Sequence, residues 1–293
     1  MNWWKCLKGR VKLNEPLRTH TTFGIGGSAK FFIEPRNEED LKSLLNILKR
    51  YNISFLVMGA GSNILVCDKG VGGVVLRLSS PYFKKIKIRD NHIEAGAGAS
   101  LGSVINQAKE HGLSGLEFLV AIPGTMGGAL TMNAGAWDRN IGDLVETVRI
   151  MDYNGNIVTL NKNDIKFGYR ASSLTRYIIL SSCIKLIKRK KSTVKNRIKK
   201  YLDLKRSRQD LSVGSAGCIF KNPKGHSAGR LIDLCGLKGK RIGGAFISEK
   251  HANFIINRGN AKSRDILKLV ALVKKRVKHK FNIILEPEIK IWR

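Results

Sequence analysis

A chain of 293 residues, 43% of them hydrophobic, is long and apolar enough to bury a large core, which excludes intrinsic disorder. Fifty-three Lys and Arg against 22 Asp and Glu leave a formal net charge of +31, so anionic partners are expected, either nucleic acid or charged small molecules. Five cysteines with no CxxC pair, no apolar signal segment in MNWWKCLKGRVKL and no apolar run of about 18 residues exclude a disulfide framework, a zinc site and a membrane span; a soluble, cytoplasmic protein is expected.

In chain order, residues 38–52 space Leu41, Leu44, Leu45 and Leu48 as a helix does. SFLVMG then reads as a buried strand and GGVVLRL as another. FKKIKI alternates apolar and basic side chains like an edge strand, and HIEAG continues that sheet. SLGSVINQAKEHG predicts a helix with Ser100 as its N-cap. VETVRIMDYNGNIVTL predicts a hairpin turning at Asn154-Gly155, and YIILSSCIKLI a further strand. The basic stretch 189–209 reads as a solvated helix that connects domains. SAGRLIDLCGL and AKSRDILKLVALVKKRVKHKF read as helices, the second with an apolar stripe at Ile266, Leu269, Val270 and Val273. NFIINRG and IILEPEIKIW read as strands. This irregular alternation makes the class α+β, with at least two domains.

Four glycine-rich loops interrupt the elements, at 19–27, 58–66, 122–137 and 214–223. MGAGSNILV follows a strand, so its amides suit an anion. It is no dinucleotide fingerprint, because Ile64 stands where the last glycine would be, and no GxxxxGK[ST] occurs. One such loop alone reads first as a tight turn. Two as dense as 58–63 and 122–135 point to a pyrophosphate threaded between two subdomains. In the fourth loop, GSAGCIFKNP, Cys218 sits on an open, glycine-flanked segment. Read alone, it is a small buried hydrophobe.

PLRTHTTFGIGG, VMGAGSNILV, GLEFLVAIPGTMGGALTMNAGA, FGYRASSL, SAGCIFKNP, AGRLIDLCGLKG, IGGAFISEKHANFIIN and LEPEIKIW occur in this order. Together they resemble the UDP-N-acetylenolpyruvoylglucosamine reductase family, from about residue 15 to the C-terminus. The resemblance implies an FAD-binding module of the PCMH (vanillyl-alcohol-oxidase-like) type in two subdomains, 1–79 and 80–205. A C-terminal α/β substrate-binding domain, 206–293, follows. It implies the family's shorter type, without an extra tyrosine-bearing loop; a monomer is expected. FAD would be held by Gly59, Ala60, Gly61, Ser62, Asn63, Ile122, Pro123, Gly124, Gly127, Gly128, Asn133 and Gly135.

The reaction implied passes hydride from NADPH to FAD and on to C3 of an enolpyruvyl group, with a proton to C2, giving UDP-N-acetylmuramate. Three residues match the family's catalytic positions. Arg170 resembles the arginine that polarises the substrate carboxylate, where a planar cation meets developing negative charge. Glu288 resembles the assisting glutamate; Glu286 has the same strand parity, and only motif register selects 288. Cys218 takes the place of the serine that protonates C2, and a thiol, with an ordinary pKa of about 8.5, is the more acidic donor. Tyr169, Arg208, Lys221, Asn222 and His251 are expected to meet the substrate, and no catalytic metal is expected. Two other readings are another PCMH-type FAD oxidoreductase acting on an alcohol or sugar, and a basic nucleic-acid-binding protein. The substrate-side motifs oppose the first. The lack of any nucleic-acid signature opposes the second, so no nucleic-acid partner is expected.

Overall fold

The structure is a computed structural model, and it describes residues 3–209 and 213–293. The chain forms two compact units. One comprises Met1–Leu13, Phe31–Ala60 and Gly73–Lys205; the other comprises Asn14–Lys30, Gly61–Gly72 and Arg206–Arg293. The division is not sequential, because the strands Arg10–Pro16, Ser28–Glu34 and Val71–Arg77 each run from one unit into the other.

In the first unit, helix α1 (Glu38–Arg50) begins at Asn37, whose Oδ1 accepts the Asp40 N–H at 3.1 Å. Three acidic residues in its first turn and Lys49 and Arg50 in its last complement the helix dipole. It ends two residues short of the spacing prediction because Asn52 turns left-handed, with φ of 50°. Its leucines are buried, as their period required. The strand Phe55–Met58 pairs in parallel with Val74–Arg77, but it lies at the edge of its sheet, and Val57 is 41% exposed. The expectation of a buried strand fails there, because an edge strand has a neighbour on one side only.

A second sheet, antiparallel, orders its strands Ile157–Asn161, Val145–Met151, Ile178–Lys185, His92–Gly96 and Ile86–Arg89. The FKKIKI segment supplies its outer strand. The expected hairpin forms, but Met151 pairs with Ile157, so its loop is residues 152–156 rather than a two-residue Asn-Gly turn. Asp152 organises it: its Oδ1 accepts the amides of Asn154 and Asn156, both at 2.8 Å. Helix α2 (Leu101–Glu110) is capped by Ser100 and helix α3 (Met126–Thr131) by Thr125. Phe118, Met126, Leu130, Val148, Ile150, Leu174 and Ile184 share the core with the buried side of this sheet. Helix α4 (Lys191–Arg208) is the solvated helix expected, with Val194 and Lys205 its buried residues.

The second unit holds helices α5 (Ala228–Leu234) and α6 (Ser263–Phe281) and the antiparallel strands Arg241–Ile242, Ala245–Ile247 and Ile255–Asn257. Ile266, Leu269, Val270, Val273 and Val277 of α6 are all buried in one cluster with Ala245, Ile247 and Ile255. The strand expected over 283–292 is cut to Lys290–Trp292, which pairs in parallel with Ile64–Val66. Pro287 has no N–H to give a ladder, and it makes one isolated bridge to Phe220.

Leu269 is fully buried, so Leu269→Ala is expected to destabilise the protein by about 2–5 kcal/mol. The exposed Lys268→Ala should stay within about 0.5 kcal/mol. Urea unfolding of the two variants checks the pair.

Candidate active site

Two of the glycine loops meet within the first unit. A Cβ built on Gly59 would lie 2.8 Å from Thr125 Oγ1 and 3.8 Å from the Gly128 Cα, so glycine is what allows this approach. Thr125 Oγ1 itself accepts the Gly128 N–H at 3.3 Å. Among the described residues, no acceptor pairs with the backbone amides of Gly59, Ala60, Gly124 or Thr125. Unpaired amides around a floor without side chains form a cradle for an anion. Ile122 is tied into the preceding turn through its N–H to Leu119 O at 3.0 Å, Pro123 follows with no N–H, and Gly124 O accepts from Leu101 N. The Gly127 amide is committed to Ala97 O at 2.9 Å, which lays α3 on the end of the strand His92–Gly96.

Beyond α3 the chain reverses. Asn133 is 4% exposed and left-handed, with φ of 43°. Its Nδ2 donates to Gly168 O at 2.9 Å, and its Oδ1 accepts from Gly142 N at 3.0 Å. Gly135 opens the short hairpin in which it pairs with Asn140. Gly168 pairs with Ala171, closing a hairpin whose turn is Tyr169-Arg170. Arg170 there is left-handed, φ 54°, and its guanidinium carbon lies 5.3 Å from the centre of the exposed Tyr169 ring. Ser172 Oγ donates to Thr131 O at 2.9 Å.

The second unit assembles a separate set. Gly61 has φ of 68°, and a Cβ on it would strike His20 O at 2.0 Å, so the turn 61–63 admits no side chain at its start. The amides of Gly61, Ser62 and Asn63 are likewise unpaired among the described residues. Asn63 Nδ2 donates to Glu288 O at 3.3 Å, and Asn63 O accepts from Lys290 N at 2.9 Å. The Glu288 amide donates to Ile219 O at 2.8 Å, which brings Glu288 against the segment carrying Cys218. Cys218 is half-buried and bridges Phe254. Glu286 is exposed and ion-paired with Lys221, Nζ to Oε1 at 2.7 Å; that cation holds its carboxyl below the usual carboxylate range. Glu286 is thus ion-paired with Lys221, while the backbone of Glu288 is tied to Ile219, the residue after Cys218.

The remaining expected residues fall in varied places. Asn222 Oδ1 accepts from Ala228 N at 3.0 Å, at the start of α5. Arg208 is exposed at the last position of α4. His251 is half-buried, with its ring 4.7 Å from Phe254 and its Nδ1 without a hydrogen-bond partner among the described residues; burial pushes its pKa below the ordinary 6.5. Two residues escaped the sequence reading. Thr125 walls the cradle and caps α3; a threonine three residues before a glycine at a helix start was the available signal. Asn253, 2% exposed, clasps Phe220 from both sides, Nδ2 to O at 2.8 Å and Oδ1 from N at 3.0 Å, and so fixes the Cys218 segment. Nothing in its own motif marks it.

Comparison with known proteins adds to this geometry. Residues 209–292 match the C-terminal domain of UDP-N-acetylenolpyruvoylglucosamine reductase, and residues 29–161 match an FAD binding domain. The chain is 43% identical to the UDP-N-acetylenolpyruvoylglucosamine reductase of Caldanaerobacter subterraneus over 286 residues, 97% of this chain and 94% of that one. It superposes on the crystal structure of UDP-N-acetylenolpyruvylglucosamine reductase from Thermus caldophilus with a TM-score of 0.83 and 36% identity, covering 98% of this chain and 100% of the other. BBE-like 1 of Physcomitrella patens aligns with 64% of this chain and 45% of its own, at 15% identity and a TM-score of 0.50, a likeness of fold alone. The fold is accordingly the α+β, PCMH-type FAD-binding module joined to a C-terminal substrate-domain fold.

The cradle fits a dinucleotide's diphosphate. Gly59→Ala should weaken FAD binding about tenfold or more by placing a methyl group against Thr125, whereas Gly72→Ala, with open space around it, should not. Flavin absorbance retained after gel filtration reads the difference. For His251, the folded state binds its proton less readily than the unfolded chain does. Stability therefore falls as pH drops through about 6.5, and His251→Gln should flatten that dependence in urea melts between pH 5 and 8.

Proposed function

The chain belongs to the UDP-N-acetylenolpyruvoylglucosamine reductase family, and from that premise we propose that it reduces the enolpyruvyl group of UDP-N-acetylglucosamine enolpyruvate with NADPH, giving UDP-N-acetylmuramate for peptidoglycan precursors. The amides and glycine floor of 59–63 and 122–128 would hold FAD. Bound there, FAD supplies a two-electron relay, accepting hydride from NADPH and returning it to C3 of the alkene. In the chain's own part of the chemistry, Arg170 pairs with the substrate carboxylate as negative charge grows on it and on C2. Cys218 donates its proton to C2, and Glu288 assists at the same group. Tyr169, Arg208, Lys221, Asn222 and His251 line the path of the UDP-sugar. The excess of positive charge suits two anionic small molecules, NADPH and the UDP-sugar, and we place the enzyme in the cytoplasm as a monomer without a nucleic-acid partner.

The observation that supports this reading over an alcohol or sugar oxidase on the same module is the hydrogen bond from Glu288 N to Ile219 O at 2.8 Å, which ties the backbone of the LEPE segment to the residue after Cys218. A thiol is the better proton source for an enolate-like carbon than a serine hydroxyl, because its ordinary pKa is about 8.5.

The test is NADPH oxidation with and without UDP-N-acetylglucosamine enolpyruvate. In Cys218→Ala, reduction of the flavin by NADPH should be unchanged, while its reoxidation by the enolpyruvyl sugar falls about 10²–10⁴-fold. Full turnover in that variant would remove Cys218 from the mechanism.

A further inference from the structure

We propose that Asn133 is a positioning residue that holds the Arg170 turn, rather than a ligand of the flavin. The inference rests on the reading of Arg170 given above. Arg170 is a non-glycine residue in left-handed backbone, at the second position of a two-residue turn. Such a conformation carries a steric cost and persists where its surroundings determine it. Two hydrogen bonds supply that determination, and both come from the end of α3. Asn133 Nδ2 holds Gly168 O at 2.9 Å, one residue before the turn, and Thr131 O holds Ser172 Oγ at 2.9 Å, one residue beyond the closing pair.

Both polar atoms of the Asn133 carboxamide, and its backbone N–H, make hydrogen bonds within the protein. Its N–H donates to Leu130 O at 3.2 Å, and its Oδ1 accepts from Gly142 N at 3.0 Å. At 4% exposure its carboxamide is buried among these partners rather than open to a ligand. The N-terminal end of the same helix is capped by Thr125, the wall of the cradle. Rather more than one and a half turns of helix, about 9 Å of rise, therefore link the anion cradle to the arginine turn. Asn133 is the joint at the far end.

Asn133→Asp tests this. The substitution keeps the acceptor for Gly142 N–H but sets an oxygen against Gly168 O. Flavin content, the flavin spectrum and the rate of reduction by NADPH should stay within about twofold of the parent. Reoxidation by UDP-N-acetylglucosamine enolpyruvate should fall about tenfold or more. In an Arg170→Lys background the same change should cost nothing further, because the group it positions is gone. Loss of flavin, equal slowing of both half-reactions, or effects that multiply with Arg170→Lys would overturn the proposal. Arg170→Lys slow but Asn133→Asp normal would remove the positioning role alone. An Arg170→Lys enzyme that reoxidises normally would remove the assignment of Arg170, and the positioning role with it. If Asn133→Asp does not fold, Ser172→Ala removes the second tie: a several-fold slower reoxidation, absent in the Arg170→Lys background, supports the proposal, and an additive effect refutes it.

Discussion

The approach of the backbone at Gly59 to the side chain of Thr125 is the constraint on which the first unit's site depends. Two chain reversals come within a methyl group's width, and neither spends its amides on the other. Gly59, Ala60, Gly124 and Thr125 are half-exposed, and their amides pair with no acceptor among the described residues, which leaves them able to donate to an anion. Thr125 contributes twice, once as wall and once as cap, because its Oγ1 holds α3 in the orientation that brings Gly124 and Gly128 to the loop.

The second unit works by different means. No element of any length runs through Cys218, Asn222 or Glu288. Their segments are fixed by single pairings: Asn253 around Phe220, Ile219 O to Glu288 N, Lys221 N to Glu286 O, and Asn63 to Glu288 and Lys290. Each is a modest interaction, worth about 1 kcal/mol net, but each blocks one freedom of a chain that helices and sheets leave unconstrained. The buried helix α6 and the strands beside it provide the rigid backing.

Charge follows the same economy. Of the few carboxylates, Glu38 makes a bidentate pair with Arg149, raising that guanidinium's affinity for its proton, and Glu286 pairs with Lys221. Asp40 and Asp152 are turned inward on backbone amides, organising turns. These acidic groups are committed to partners within the fold, in a chain whose formal net charge is +31.

The amino-acid sequence by itself determined the helices α1, α2 and α6, the edge strand at Ile86–Arg89 and the α+β class, because each rests on a local period or cap that neighbouring residues carry. It also carried, in eight ordered motifs, the family and so the flavin chemistry. Tertiary structure alone decided that Phe55–Met58 lies at an edge and that only three residues of 283–292 form a strand. It decided, too, which glutamate Lys221 takes and that the Asn133 carboxamide reaches Gly168 O, the partner of each lying 30 or more positions away in the chain. Period and propensity report what a residue does with its neighbours in sequence; a hydrogen bond across such a separation exists only once the backbone between its ends has been folded into place.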